Sequence, residues 1–302
     1  MPGSRVLRLL VLIALALGVT ACSGTSALNP KGVRSTEIAT LWWLMFAAGL
    51  VIYLLVIGLL LFSLYRRRRD QNEELKDRPS NRWIVAGGII MPAIVLTAVY
   101  AYTVRTLDVL AAPGIRPSYT IEVVGHQWWW EVRYPDEGIT TANEIHIPVG
   151  QPVLLKLTST DVIHSLWVPQ LMGKLDLIPG QTNSVWITAD ERGSYLGECA
   201  EYCGTQHGKM RFLVIAEEAQ EFSRWLANER QPAAAPASEV QRAGRQVFLG
   251  SACVYCHTIA GTNATGTVGP DLTHLASRRT LGAGILPNVR GNLAGWIVNS
   301  QA

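Results

Sequence analysis

The stretch GECAEYCGTQHGKM, residues Gly197–Met210, places two thiols, an imidazole and a thioether within one short segment. The four side chains are Cys199, Cys203, His207 and Met210. They offer sulfur and nitrogen, the donors that soft and borderline transition metals prefer. Two nearby cysteines can also form a disulfide, so the segment by itself leaves both a metal site and a disulfide open.

The number of thiols narrows the choice of metal. Structural zinc sites commonly use paired C-x-x-C units, whereas these cysteines are spaced C-x-x-x-C. A mononuclear blue-copper site needs one cysteine, two histidines and a weak axial ligand, so this segment has one thiol too many. Two bridging cysteines fit two copper ions, each completed by one histidine and one weak ligand. His164, in the segment DVIHSLWVP, can supply the second imidazole.

The composition indicates a membrane portion. Of the 302 residues, 49% are hydrophobic and 16% are charged, whereas roughly 25% of residues are charged in an average protein. The net charge is only +3, and its basic cluster, Arg66–Arg69, directly follows an apolar run. Nucleic-acid-binding proteins carry basic residues over a folded face, so we exclude nucleic acid as a partner.

The N-terminus has the pattern of a bacterial lipoprotein signal peptide. Arg5 and Arg8 precede the apolar stretch Leu9–Val19, and small residues then lead to Cys22. We predict a signal peptide over residues 1–21, with Cys22 as the lipidated first residue of the mature chain. An uncleaved anchor, or an ordinary signal peptide followed by an unrelated cysteine, is the alternative.

Two further uncharged runs, Ile38–Tyr65 and Trp83–Tyr102, are long enough to cross a bilayer as helices. The loop between them, Arg66–Arg82, is rich in lysine and arginine, which predicts that it lies in the cytoplasm. Residues 22–105 are therefore predicted as a two-span hairpin embedded in membrane lipid. The remainder of the chain should lie on the outer face of the bacterial cytoplasmic membrane.

Beyond the hairpin, the sequence predicts a β domain followed by a small helical domain. Short β-rich runs separated by turn residues over Ser118–Ala216 are typical of a sandwich or small barrel. We place this domain at residues 106–230, a Pro/Ala linker at 231–238, and the last domain at 239–302.

The last domain contains CVYCH, in which Cys253, Cys256 and His257 form the attachment signature of a c-type haem. The two cysteines would form thioethers to the haem, and the histidine would bind the iron. A redox dithiol or a zinc ribbon can share this pattern, but here it follows an amphipathic helix and precedes GPDLTHLASR.

Two family resemblances follow from these motifs. HSLWVPQLMGKLDLIPGQTN together with CAEYCGTQHGKM resembles subunit II of haem-copper cytochrome c oxidases, over Ile38–Glu218. The CVYCH and GPDLTHLASR motifs resemble class I cytochromes c, so the whole chain resembles subunit II of a caa3-type oxidase. The resemblance implies a transmembrane hairpin, an all-β cupredoxin-like barrel and a small all-α cytochrome c domain.

The resemblance also implies a dinuclear copper A centre and its ligands. The two cysteines bridge the coppers, two histidines are terminal ligands, and a thioether and a backbone carbonyl are weak ligands: Cys199, Cys203, His164, His207, Met210 and Glu201, respectively. The Glu201 side chain would point to a magnesium ion shared with subunit I. Trp128, in the segment QWWW, would be the surface aromatic that receives electrons. His126 and His146 are predicted to be structural.

The implied function is electron transfer. Electrons would pass from cytochrome c, or from a quinol–cytochrome c reductase, through haem c and copper A to subunit I. Oxygen reduction and proton pumping would take place in subunit I of an enzyme that also contains subunit III. A quinol-oxidase subunit II with a structural role, a nitrous-oxide reductase and a copper chaperone are the alternatives; the intact ligands, the hairpin and the fused haem motif argue against them.

Two positions depart from the family pattern. Gln181, in DLIPGQ, stands where the family has an arginine near the haem-copper subunit. The segment Trp83–Val104 contains no Asp or Glu, so we assign no proton-path residue to the second span.

The sixth haem ligand is missing from the sequence. A low-spin cytochrome c usually takes a methionine there, yet none of the five methionines follows His257. His274 follows GPDLT and is expected near the haem edge. We therefore expect the natural chain to extend beyond Ala302, and the haem of these residues to be five-coordinate or water-ligated.

Overall fold

A computed structural model of the protein describes residues 25–69, 81–111 and 116–300. The predicted signal peptide, the lipidation site Cys22 and most of the basic loop lie outside the described residues. The chain divides into two compact units. One is the helical unit Thr36–Ile115, and the other comprises the residues before Thr36 together with Arg116–Ala302.

The helical unit contains the two predicted membrane spans. Helix α1 covers Val33–Arg69; helix α2, Asn81–Val85, continues through the π-helical turn Ala86–Ile90 into helix α3, Met91–Ala111. The two stretches have mean hydropathies of 2.8 and 2.2, and within the described residues no side chain in their most apolar windows is buried. Apolar surface of this extent, with no protein covering it, is stable in lipid and not in water.

The β unit is built from two five-stranded sheets, each with one parallel pair. The first has the order β3-β2-β1-β5-β8 and the second β4-β10-β9-β6-β7. The parallel pairs are β1 with β5 and β10 with β4. The strands are β1 Tyr119–His126, β2 Trp129–Tyr134, β3 Ile139–Ala142, β4 Glu144–Pro148, β5 Val153–Ser159, β6 His164–Trp167, β7 Leu175–Leu177, β8 Asn183–Ile187, β9 Gly193–Cys199 and β10 Arg211–Glu217.

The core lies between the two sheets, as the sequence alternation requires. In β5, Val153, Leu155 and Leu157 are fully buried, while the residues between them are partly exposed. The rings of Trp130 and Phe212, one from each sheet, pack edge to face with centroids 5.3 Å apart. Aromatic rings from both sheets thus fill the space between them. The predicted β sandwich or barrel is confirmed.

After β10 the chain forms short helices. Helix α4, Ala219–Glu229, packs Phe222 and Leu226 against the core. Helix α5, Glu239–Leu249, begins at a capping box in which Ser238 and Gln241 satisfy each other's backbone N–H groups. Helix α6 covers Arg290–Val298.

The predicted all-α fold of the last domain is not borne out in full. Strands β11, Thr280–Leu281, and β12, Leu286–Pro287, form a two-stranded sheet between α5 and α6. The turn between them is tight because Gly282, Ala283 and Gly284 all have positive φ, which the two glycines adopt freely. Composition and helical periodicity give no signal for such a short hairpin.

We predict that Tyr134→Phe lowers the free energy of unfolding of the barrel by about 1–3 kcal/mol. The buried Tyr134 hydroxyl donates to the His146 carbonyl at 2.9 Å and accepts the His146 N–H at 2.8 Å. Phenylalanine leaves both backbone groups unpaired. The measurement is denaturant unfolding of the full chain in detergent, followed by tryptophan fluorescence. Tyr202→Phe, at a side chain 77% exposed, is the control; equal midpoints for the two variants would contradict the prediction.

Candidate metal centre

Strand pairing brings the predicted ligands together. β6 pairs with β9 so that Leu166 faces Cys199, which places His164 at the same end of the sheet. β9 also pairs with β10, and the Cys199 N–H donates to the Met210 carbonyl at 2.9 Å. The segment between Cys199 and Met210 is therefore a closed loop, and its side chains face the histidine of the neighbouring strand.

The donor atoms surround the two sulfurs. Cys199 Sγ lies 3.8 Å from Cys203 Sγ, 3.9 Å from His164 Nδ1 and 3.2 Å from the Glu201 carbonyl oxygen. Cys203 Sγ lies 3.6 Å from His207 Nδ1 and 3.8 Å from Met210 Sδ. A disulfide bond is about 2.05 Å long, so the two cysteines are free thiols in this structure.

The site is buried, and its histidine is held in one orientation. His164 and Met210 are fully buried, and Cys199 and Cys203 nearly so. Asp161 Oδ1 lies 2.9 Å from His164 Nε2, which turns Nδ1 of the same ring toward Cys199. A carboxylate behind a histidine is the usual outer partner of a metal-binding imidazole. A Cβ at Gly125 would lie 2.7 Å from His164 Cδ2, so this position must be glycine to leave room for the ring.

The two thiols differ strongly in acidity. Burial raises the pKa of Cys199, but hydrogen bonds from His164 and from the backbone of Ser165 outweigh it and bring the pKa to about 6. Burial and the charge of the Cys199 thiolate raise the pKa of Cys203 to about 12. Burial works against the protonated form of His164, yet Cys199 and Asp161 raise its pKa above the ordinary value. The charges of Cys199 and His164 thus favour each other, while the charge of Cys199 disfavours a second thiolate at Cys203.

Trp128 touches the backbone of the site. Its indole Nε1 donates to the Cys203 carbonyl at 3.0 Å, and Gln127 Nε2 donates to the same oxygen at 2.8 Å. Trp128 lies in the turn between β1, which ends at His126, and β2, which begins at Trp129. Trp130 is fully buried in the core, and Trp129 stacks on His126.

The other predicted residues of the barrel have structural partners. His126 Nε2 lies 3.0 Å from Glu131, and His146 Nδ1 lies 3.0 Å from Glu217. Glu201 Oε2 lies 3.4 Å from Lys174 Nζ on a half-exposed surface. The roles of Asp161, Gln127 and Gly125 were missed from the sequence; the spacing D-x-x-H before His164 was the available signal for the first of them.

The CVYCH segment forms a second cluster. The 3-10 turn Ala252–Tyr255 leaves Cys253 and Cys256 exposed. His257 Nδ1 lies 2.8 Å from the Pro270 carbonyl, which fixes the ring and leaves Nε2 available for iron. A Cβ at Gly269 would lie 2.7 Å from His257 Cε1, so glycine is needed beneath the ring. His274 Nε2 instead contacts the Gln231 carbonyl at 2.9 Å.

The surroundings of this cluster fit a large apolar group. Within the described residues, neither α5 nor α6 buries a side chain. The exposed apolar side chains of the described part of this segment include Val240, Val247, Val268, Ile297 and Val298. Exposed apolar surface of this kind can be covered by a bound apolar group, and two cysteines beside a histidine are compatible with the predicted haem c.

Comparisons with known proteins point to one family. A family model described as cytochrome c oxidase subunit II, periplasmic domain, matches residues 137–217. Cytochrome c oxidase subunit 2 of Alkalihalophilus pseudofirmus is 34% identical over 305 residues, covering 98% of this chain and 88% of that protein. Quinol oxidase subunit 2 of Bacillus spizizenii is 27% identical over 236 residues, covering 75% and 73%. The solved periplasmic domain of cytochrome oxidase subunit II (CoxB) of Bradyrhizobium japonicum is 30% identical, covering 38% of this chain and 96% of that chain, with a TM-score of 0.38.

The chain has two membrane-length helices, a two-sheet β domain and a cluster of paired cysteines and histidines. These features define a membrane-anchored, cupredoxin-like electron-transfer protein. With 34% identity over 98% of its length, the chain belongs to the cytochrome c oxidase subunit II family. Members of this family are subunits of haem-copper oxidases, in which oxygen is reduced in another subunit.

We predict that thiolate forms at the metal-free site as the pH rises through about 6. The lowered pKa of Cys199 means that its thiolate is populated above this pH and lost below it. The measurement is the ultraviolet absorbance of thiolate in the reduced full chain, taken as the difference between wild type and Cys199→Ser. His164→Ala should move the midpoint upward, because it removes the main stabilising hydrogen bond. A wild-type midpoint near 8.5, the ordinary cysteine value, would contradict the prediction.

Proposed function

We propose that the chain carries a dinuclear copper A centre and transfers electrons through it to the haem-copper subunit I. The observation that carries the proposal is the arrangement of donors around two sulfurs 3.8 Å apart. Two copper ions would be held by both cysteines, by two histidines and by two weaker donors. These residues are Cys199, Cys203, His164, His207, Met210 and the carbonyl of Glu201.

The residues around the site would keep the ligand positions fixed while the charge of the proposed centre changes by one electron. A bridged pair of coppers, when bound, supplies a one-electron redox centre. Asp161 holds the His164 ring, and Gln127 and Trp128 hold the Cys203 carbonyl, so the ligands have little freedom to move. Burial of the sulfurs keeps water away from the site. The six donors leave no open position for a substrate, which argues against hydrolysis or oxygen chemistry at this centre.

Electrons would reach the centre from outside the membrane. We assign Cys253 and Cys256 to the thioether bonds of a haem c and His257 to its iron. The donor would be cytochrome c or a quinol–cytochrome c reductase. Trp128 is half-buried and hydrogen-bonded to the backbone of Cys203, which makes it a direct route from the surface to that ligand.

The anchoring and the neighbouring subunits follow from the same proposal. The two spans would hold the domains on the outer face of the bacterial cytoplasmic membrane, beside subunits I and III, with Cys22 as a further lipid anchor. Glu201 would reach the magnesium ion shared with subunit I. Because Lys174 Nζ lies 3.4 Å from its carboxylate, that ion would have to displace the lysine.

The second candidate is a quinol-oxidase subunit II, whose role would be structural. The 27% identity to a quinol oxidase subunit 2 is the observation in its favour. A purely structural role would not require two buried cysteines, two histidines and a thioether at one position. The copper proposal accounts for all of them.

For the copper centre, we predict two coppers per chain and an EPR spectrum of one unpaired electron shared by both nuclei. Met210→Leu should shift the redox potential and leave most of the centre assembled, because a thioether is a weak ligand. Gly125→Ala should lower the copper content, since its Cβ would lie 2.7 Å from the His164 ring. Gly208→Ala is the matched control, because a Cβ there meets nothing within 4 Å.

The proposal fails if the site binds one copper per chain or prefers zinc. It also fails if Gly125→Ala and Gly208→Ala retain the same copper content, because His164 would then not be a ligand.

For the haem, we predict that Cys256→Ser and His257→Ala slow the delivery of electrons from the physiological donor. The linker at residues 231–238 keeps the haem segment beside the barrel at high effective concentration, so the donor reaches it first. Tyr255→Phe, at a side chain 77% exposed, is the control. Unchanged turnover in a haem-free variant would contradict this route and favour delivery near Trp128.

A further inference from the structure

The C-terminal segment, residues 239–300, is joined to the barrel by more than its linker. Glu144, at the start of β4, is a buried residue of the barrel, 2% exposed. Its Oε1 accepts the Arg279 N–H at 2.7 Å, the Thr280 N–H at 2.9 Å and the Thr280 hydroxyl at 3.2 Å. All three donors belong to the C-terminal segment.

A buried carboxylate is costly unless hydrogen bonds compensate for the water that it loses. On the barrel side, the nearby titratable group is His146, whose Nε2 lies 4.0 Å from Glu144 Oε2. Arg278 and Glu229 line the small cavity beside these two residues. Glu144 therefore receives its short hydrogen bonds from the three donors of Arg279 and Thr280. These bonds stabilise the carboxylate in its buried position.

A second contact lies beside the metal centre. The Ala283 carbonyl accepts the Arg211 N–H at 2.9 Å, and Arg211 directly follows Met210. Leu281 and Ala283 are each 5% exposed, so this turn is buried against its neighbours. The Arg279 guanidinium also donates to the Ser194 hydroxyl on β9. The contacts therefore reach β4, β9 and β10, and the last two of these strands frame the metal loop.

We propose that Glu144 is a positioning residue that fixes the C-terminal segment on the barrel next to Met210. A Pro/Ala linker alone would hold the segment near the barrel without setting its orientation. Glu144 sets that orientation because one of its carboxylate oxygens accepts hydrogen bonds from two backbone N–H groups and one hydroxyl. Its consequence for electron transfer, a fixed path from the haem segment to the copper loop, rests on the proposed function.

The docking is tested by amide hydrogen exchange of the full chain in detergent, reduced and free of metal. In Glu144→Gln we expect exchange of residues 279–286 to speed up by about tenfold or more, while β1, β2 and β5 stay protected. Glu191→Gln is the matched control, because Glu191 is an exposed barrel carboxylate that pairs with Lys31. Equal exchange of residues 279–286 in Glu144→Gln and wild type overturns the proposal.

If Glu144→Gln does not fold, the same contact can be tested by a substitution in the C-terminal segment. Thr280→Pro removes the N–H and the hydroxyl that reach Glu144 and leaves the barrel sequence intact. It should give the same local rise in exchange, and protection equal to wild type would again overturn the docking.

The redox consequence has a separate readout, the rate of electron transfer from haem c to copper in the loaded protein. We expect a slower rate in Glu144→Gln with an unchanged copper EPR spectrum. A loosened segment with a wild-type rate overturns the positioning role and leaves the proposed function standing. A wild-type protein without copper or haem overturns the proposed function, while the exchange result still decides the docking.

Discussion

The pairing of β9 with β10, closed by the hydrogen bond from Cys199 N–H to the Met210 carbonyl, is the constraint on which the site depends. Because of this pairing, the chain folds back on itself between Cys199 and Met210. The two cysteine sulfurs, the His207 imidazole and the Met210 thioether therefore lie close together. The pairing of β6 with β9 then adds His164 from a distant part of the sequence. If either pairing were lost, the donor atoms would no longer be held close to one another.

Electrostatics explains why such a cluster is useful only with cations. Two thiolates 3.8 Å apart in a buried site repel each other, so the charge of Cys199 raises the pKa of Cys203. Cys199 and Asp161 also raise the pKa of His164. Positive ions remove this conflict, because they stabilise both thiolates at once. The buried position strengthens that preference, since water cannot screen the charges.

The proposed ligands could be named from the sequence because five of the six lie in one segment with a recognisable spacing. The membrane helices were predictable from their long uncharged runs. Gln127 and Gly125 were not predicted as site residues, because their roles depend on contacts between segments far apart in sequence. Asp161 lies only three residues before His164 and was missed although its spacing is local. The contact of Glu144 with Thr280 was not predictable either, because the two residues are far apart in sequence.

Strand pairing and hydrogen bonds set the positions of the proposed ligands. Binding of the proposed coppers would therefore need little change in the backbone, in contrast to small zinc domains that are unfolded until the metal arrives. A small rotation of the side chains would join two sulfurs that stand 3.8 Å apart. The proposed centre could therefore be loaded only while both thiols are reduced.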